Sequence, residues 1–292
     1  MTAAEPKMRR KHRRNSQGWD IWRRLIRNKK AVGAMLVLLF LLFLVIFADL
    51  LVPYSLATDL SADRFQWPNA NHWFGTDKYG RDLFARIIYG ARTSLYIGFT
   101  ATLFSATLGT IIGTASAYIG GKFDYIVTRI LDIWMAIPAL LVTLAIIAGL
   151  GVGLETTIFA LAFGGIPGFA RTLRGAALGV TSMDYMEAVR ALGASHSRAV
   201  FRHVVPNVIS QVLIQATMTV SGNILLCATL GFLGLGAQPP TPEWGSILAE
   251  GLKDYEKYSY IVSVPGATIA ITALAINILG DALRDALDPR LK

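Results

Sequence analysis

Side chains able to do covalent or metal chemistry are sparse in this chain. The four histidines, His12, His72, His196 and His203, form no His-Glu-x-x-His pair, and the single cysteine, Cys227, leaves no tetrahedral zinc set. One cysteine also excludes an intrachain disulfide framework. There is no Gly-x-Ser-x-Gly elbow to expose a nucleophilic serine. Gly120-Gly121-Lys122 has the look of a phosphate loop, but Phe123 stands where Ser or Thr must hold magnesium, and the earlier glycine of that motif is missing. What remains is ion pairing and hydrogen bonding in apolar surroundings. Arg129 and Asp132 are three residues apart and can pair; Asn277 and Asp281 are one helical turn apart, with Arg284 near enough to answer Asp281. These read as structural clasps and not as ion-translocation sites, because no chain of acids crosses the apolar segments. Gln211, Gln215, Thr219 and Asn223 recur at four-residue spacing, beside Ser210, Thr217 and Ser221. Interhelical hydrogen bonding and a lined pathway explain that polar stripe equally well.

The elements that must position these groups are apolar helices. Hydrophobic residues make up 53% of the 292 residues and charged ones 16%, with a mean hydropathy of +0.48. Crossing a bilayer takes ~20 mostly apolar residues. Six segments qualify, about 31–53, 93–119, 130–149, 156–172, 208–235 and 261–283. They lack strand alternation, and only helices or closed barrels satisfy backbone groups in lipid, so the expected fold class is an all-α membrane protein with six transmembrane helices. The first span is too long for a signal-peptide core and no small-residue cleavage site follows it, which reads as an uncleaved anchor. The fourth is interrupted by Gly164, Gly165, Pro167 and Gly168 and closed by Arg171 and Arg174. Pro138 should kink the third. In the second, Gly109, Gly113 and Ala117, and likewise Gly98, Thr102 and Ala106, form small-residue stripes suited to close helix packing.

Charge gives these spans a direction. Residues 1–30 carry 11 Lys and Arg against two acids, and so account for the whole net charge of +9. This distribution argues against a nucleic-acid-binding domain. With the amino terminus inside, 21 of the 28 basic residues fall on inner segments. Both termini are thus expected in the cytoplasm of a multi-pass protein of the cytoplasmic membrane. The domains follow: a basic tail 1–30, a first span 31–53, an outer loop 54–92, a helical body 93–283 and a short inner tail 284–292. A second outer loop covers about 236–260. Within the tail, Trp19, Ile21, Trp22, Leu25 and Ile26 give an interfacial helix one apolar side, while residues before Gly18 are expected to be disordered. A membrane-embedded enzyme would cluster catalytic groups at one depth, and an autonomous channel would place charged rings within a span; the sequence has neither.

The most informative stretch is the inner segment 181–207, TSMDYMEAVRALGASHSRAVFRHVVPN. Asp184 and Glu187 have capping-box spacing at the start of a helix. Tyr185, Ala188, Val189 and Leu192 then share one face, Glu187 and Arg190 the other. Gly193 suits a left-handed cap, and Ser195 can start a second helix leading to Pro206. Such a short amphipathic helix suits the membrane interface or a partner's groove.

Here the sequence resembles a known family. EAVRALGAS, followed by Pro206, looks like the EAA-loop signature of ABC importer permeases. Further stretches resemble the dipeptide, oligopeptide and nickel branch: WRRLIRNKKAVGAMLVL at 22–38, FGTDKYGRDLFARIIYGARTSL at 74–95, AYIGGKFDYIVTRILDIWMAIPALL at 117–141, FLGLGAQPPTPEWGSIL at 232–248 and NILGDALRDALDPRLK at 277–292. The resemblance covers nearly all of 20–292 and is strongest to the second of two permease subunits. Cys227-Ala228 stands where the family often has Glu-Ala. The resemblance implies a type I importer permease fold carrying small peptides, or alternatively nickel or another small solute. It implies no cofactor on this chain, with ATP and magnesium held by two partner ATPase subunits. A distinct second permease and an extracytoplasmic substrate-binding protein complete the implied partners, together with membrane lipid. The implied ATPase-coupling residues are Asp184, Tyr185, Met186, Glu187, Ala188, Val189, Arg190, Leu192 and Gly193.

Overall fold

The computed structural model describes residues 17–287. It is a helical bundle with no strand among those residues. An amphipathic helix α1 (Gln17–Arg27) turns at Asn28 into α2 (Lys29–Ile46), where the Asn28 side chain caps the new helix by accepting from the Lys30 and Ala31 N–H groups. Leu25 and Ala31 pack on Ala282 and Ala286 near the chain's far end, so the apolar side expected for the tail covers protein as well as facing out. The expectation of disorder before Gly18 falls mainly outside the described residues.

The first span is shorter than expected. It stops at Ile46 instead of running to 53, and short helices α3 (Ala48–Leu51) and α4 (Ser55–Thr58) follow. Polar anchors hold the segment that follows the break. Asp49 accepts from Arg92 Nη2 at 2.8 Å, and the Tyr89 hydroxyl lies 2.9 Å from Asp49 and 2.8 Å from the Val52 carbonyl. The second span is longer. α5 (Leu83–Ile119) has 37 residues, ~55 Å at 1.5 Å per residue, well beyond a ~30 Å hydrocarbon layer. Arg86 and Arg92 had hidden its first turns in the sequence. Both find acids in the fold, so the helix continues through them.

The third span is broken in two. α6 (Gly121–Met135) and α7 (Ala139–Leu150) meet at 82° across Pro138, more than a kink. Gly120 and Gly121, both at positive φ, form the corner between α5 and α6, which accounts for that glycine pair without a ligand. The fourth expected span lies inside α8 (Leu154–Thr181). By length and apolarity four helices, α2, α5, the run His196–Phe232 and the last helix, qualify as spanning, with α6 and α7 as a fifth if taken together. α8 is long enough but less apolar, because it lies along α5 inside the bundle. A Cβ at Gly109 or Gly113 would overlap Phe169 or the Ala170 carbonyl. The small-residue stripe is therefore a packing seam.

Beyond α8 come α9 (Asp184–Ala191), α10 (His196–Ala199), a π-helical turn (Val200–Val204) and α11 (Val205–Phe232). Then α12 (Trp244–Gly251) dips back, and α13 (Tyr260–Leu287) closes the bundle. The two long connections knit over one end of the molecule. Phe65 stacks on Tyr258 at 4.4 Å, the Tyr260 hydroxyl donates to the Thr76 carbonyl at 2.8 Å, and Trp244 Nε1 donates to the Ile87 carbonyl at 3.0 Å.

Candidate functional site

At the other end of the bundle, α8 stops at Ser182, Met183 is extended, and eight residues form α9. The capping box does not form. Met183, not Asp184, is the N-cap, and Asp184 is already the first helical residue, too far along to accept from the N–H groups a cap would serve. Its charge, with that of Glu187, still sits favourably in the first turn. The other end matches the expectation. Gly193 has φ +74°, its N–H donates to the Arg190 carbonyl, and the Ala194 N–H donates to the Val189 carbonyl. This is the Schellman pattern, which only a left-handed residue permits. Ser195 caps α10 through the Arg198 N–H.

The expected apolar face of α9 is not the one that packs. Met186 is fully buried and Val189 partly so, against Ala177, Val180, Val200 and Val204. Tyr185 and Ala188 are exposed, and Leu192 is 87% exposed. Eight residues make barely two turns, so one buried anchor fixes the helix and the rest of its apolar surface is left open. Arg190 lies over the Tyr118 ring at 5.1 Å, and Asn207 Nδ2 donates to the Tyr185 hydroxyl at 3.1 Å. α9 is thus clamped to the ends of α5, α8 and α11, presenting Asp184, Tyr185, Glu187, Ala188 and Leu192 outward. Such a knob has no reacting group. A surface of this kind is one that a partner's groove can cover.

The polar stripe of α11 is split by the fold. Asn223 is buried and donates to Thr102 Oγ1 at 3.0 Å, joining α11 to α5. Thr219 donates to the Gln215 carbonyl at 2.9 Å, and Gln215 is only partly covered. Gln211 is exposed. Asn223 therefore serves helix packing, and the four do not form one open wall in this chain. A cavity of about 910 Å³ between α2, α5, α11 and α13 is lined by side chains such as Leu38, Leu42, Phe99 and Leu213 and offers a polar solute little.

Of the expected clasps, Arg129 and Asp132 do pair, at 3.7 Å, and Asp132 also binds Arg171 across helices. Asp281 and Arg284 are both exposed and make no ion pair among the described residues; at a helix end, hydration competes with so short a bridge. Sequence reasoning missed two other constellations. Asp124 accepts from Arg174 Nε and Nη2 at 2.5 Å each, tying α6 to α8. Asp77, Arg81, Arg86 and Glu250 form a buried cluster in the loop cap. Asp77 Oδ2 accepts from Arg81 Nε and from Arg86 Nη1, each at 2.7 Å, and Glu250 Oε2 accepts from Arg86 Nη1 at 3.0 Å and from Arg81. Glu250 lies 164 residues from Arg86, a separation no spacing rule bridges. Near it Glu243 caps α12 and meets Cys227 Sγ at 3.9 Å. A carboxylate from α12 thus lies beside the position where the resemblance led one to expect a glutamate on α11. Among the described residues no three His, Cys, Asp or Glu side chains gather as a metal set.

Comparison with known proteins gives this architecture a context. Residues 105–292 match the family of binding-protein-dependent transport system inner membrane components, and residues 16–68 match the N-terminal TM domain of oligopeptide transport permease C. A dipeptide transport system permease protein of Alkalihalophilus pseudofirmus is 39% identical over 273 residues, 94% of this chain and 90% of its own. A glutathione transport system permease protein of Pectobacterium atrosepticum is 39% identical over 274 residues, covering 94% and 91% of the two chains. Among solved structures, an inward-facing MetNI methionine ABC transporter shares the fold with a TM-score of 0.58 at 23% identity, covering 70% of this chain and 98% of its own. An amino acid ABC transporter has a TM-score of 0.51 at 18% identity, covering 70% and 95%. Members of the matched family are permeases that work with ATPases and substrate-binding proteins. By a family match over more than half its length and relatives 39% identical along nearly all of it, the chain belongs to the binding-protein-dependent transport system inner membrane components, a membrane-embedded ABC importer subunit whose energy source lies on other chains.

Proposed function

We propose that the chain is one of two distinct permease subunits in an importer that carries small peptides across the cytoplasmic membrane, with α9 as the helix seated in a partner ATPase. The observation that carries this reading is α9 itself: anchored by Met186, stopped by Gly193, and presenting Leu192, Tyr185, Ala188 and two acids outward. Its apolar tip needs a partner's groove, and its clamp to α5, α8 and α11 passes a movement of that partner directly to the spans. No cofactor is assigned to this chain; ATP and magnesium belong to the two ATPases. The basic tail and the inner loops support, through the positive-inside rule, a cytoplasmic position for both termini and α9. The loop cap then faces the extracytoplasmic binding protein. Dipeptide and glutathione permeases among the relatives favour short peptides as cargo.

The test is reconstitution of this chain with its second permease, ATPases and binding protein, followed by ATP-driven uptake of labelled dipeptides and tripeptides. Glu187→Arg and Gly193→Val are expected to leave membrane assembly intact and to lower uptake per ATP hydrolysed by roughly fivefold or more, the usual scale of intersite coupling. Unchanged uptake in both variants would remove α9 from the coupling path.

A further inference from the structure

Between the first span and the body of the bundle runs an apolar groove, the cavity of about 910 Å³ bounded by α2, α5, α11 and α13. Its lining reaches from Leu95 to Ile111 on α5 and from Val205 to Val220 on α11, about 22–24 Å of helix. That is longer than the ~15 Å that one leaflet contributes to a ~30 Å hydrocarbon layer. The walls stay open in this chain: Leu39, Phe99 and Leu103 are each more than half exposed. Threonines among the lining residues do not make the groove polar. Thr102 donates to the Gly98 carbonyl, Thr107 to that of Leu103 and Thr217 to that of Leu213, each one turn back along its own helix, which leaves Thr110 Oγ1 as the one without a partner. An occupant meets hydrocarbon along nearly its whole length, so it must itself be hydrocarbon there.

One end of the groove is charged. Trp22 of α1, Phe201 of the π-helical turn and Leu283 of α13 line the cavity, and each is followed directly by an arginine, Arg23, Arg202 and Arg284. All three arginines are exposed and make no ion pair among the described residues. The helix ends concerned lie together, since Leu25 and Ala31 pack on Ala282 and Ala286 and the cavity joins Phe201 to them. Residues 17–30, 200–204 and 279–287 together hold seven Lys and Arg against three acids, Asp20, Asp281 and Asp285. Tryptophan at a basic helix end also suits the headgroup level of a bilayer.

Two occupants have the required hydrocarbon, a span of another permease subunit and a lipid acyl chain. The charge separates them. A partner span would bring its own inner-end Lys and Arg to this mouth, because the same charge bias orients it. A phospholipid with an anionic headgroup brings the opposite sign, and basic clefts between spans are where such headgroups bind. We propose that the groove is a binding site for an anionic phospholipid, its acyl chains lying along α5 and α11 and its phosphate held by Arg23, Arg202 and Arg284. Among its own residues α2 buries only Ala31 and Ala34, so the lipid supplies packing that the first span otherwise lacks. The site is independent of which solute the transporter carries.

The experiment places the complete transporter, with all partner subunits, in phosphatidylcholine nanodiscs containing a trace of a probe lipid with a photoreactive acyl chain. The probe is phosphatidylglycerol in one sample and phosphatidylcholine in the other. After illumination, mass spectrometry counts adducts on Phe99 and Leu213 in the groove and on Leu36, which lies on α2 outside the groove and is 62% exposed. Each Lys or Arg at an anionic lipid surface favours binding by about fivefold, so the phosphatidylglycerol-to-phosphatidylcholine ratio of groove adducts should exceed that at Leu36 by at least about fivefold. Equal ratios would mean that the groove holds ordinary boundary lipid, and adducts on Leu36 alone would mean that a partner span fills it; either result overturns the proposal. In the triple variant Arg23→Ala, Arg202→Ala, Arg284→Ala the groove excess is expected to vanish while Leu36 labels as before. An excess that persists there places the headgroup elsewhere, and the proposal falls. The comparison of the two lipids on the unsubstituted chain decides the matter even where the triple variant does not assemble.

Discussion

Glu243 is held by donors alone. Its Oε1 accepts from the Gly245 N–H at 2.8 Å and from the Ser94 hydroxyl at 3.1 Å, and its Oε2 accepts from the Ser246 N–H at 2.9 Å. Burial pushes its carboxyl above the usual glutamate range, while the backbone N–H groups of Gly245 and Ser246 and the Ser94 hydroxyl pull it back. A carboxylate fits this setting because every neighbour gives a proton. In Glu243→Gln one donor must face the new amide N–H₂, and the buried group so left unmatched should cost about 1–3 kcal/mol. Thermal unfolding of the detergent-solubilised transporter is expected to show a lower midpoint, and an unshifted midpoint would mean that α12 is not held by this carboxylate. The stretch 232–248 stands out by its resemblance, but the buried role of Glu243 within it does not, since Ser94 and Cys227 come to it from other helices. Gly193 was legible for the opposite reason: a left-handed cap depends only on neighbours in sequence.

Helices in this molecule meet wherever side chains shrink. The seam of α5 on α8 runs through Gly109 and Gly113, where a Cβ would overlap side chain or backbone of the facing helix. Gly113→Val should therefore force the pair apart and destabilise the bundle by about 1–3 kcal/mol. Gly149, in α7, has nothing within 4 Å of its position, and Gly149→Ala should instead stabilise by roughly 0.5–1 kcal/mol through helix entropy. Opposite shifts of the unfolding midpoint in these two variants would check that the seam, and not glycine as such, carries the effect. The stripe was visible as a four-residue spacing of small residues. Its partner was not, because nothing in that spacing says which of the other spans lies opposite. The start of α5 was misjudged for a related reason. Arg86 argues against a helix entering an apolar bundle until Asp77 and Glu250 are known to meet it.

As a whole, the molecule is a neutral body with a basic tail. Deleting residues 1–16 removes six of the basic residues and leaves Arg23, Arg24, Arg27, Lys29 and Lys30 beside the first span. Those five suffice to hold the amino terminus inside, since the bias is counted close to the span ends. Membrane insertion and uptake are expected to stay within about twofold of the full chain, a difference well under one kcal/mol; loss of uptake with normal insertion would give the tail a role of its own. The sequence by itself determined that this is a helical membrane protein, roughly where its apolar segments lie, and that a short glycine-stopped helix interrupts the chain between two of them. Each of these depends on composition, period and local turn chemistry, which neighbouring residues fix among themselves. Only the tertiary structure decided that the third span breaks by 82°, that Met186 and not the expected face anchors α9, that Asn223 is sealed, and that the loop cap is pinned by Asp77, Arg81, Arg86 and Glu250. Those features depend on which distant groups meet in a medium of low dielectric, where a charge or amide is stable only beside its partner, and partners are chosen by the packing of the whole chain.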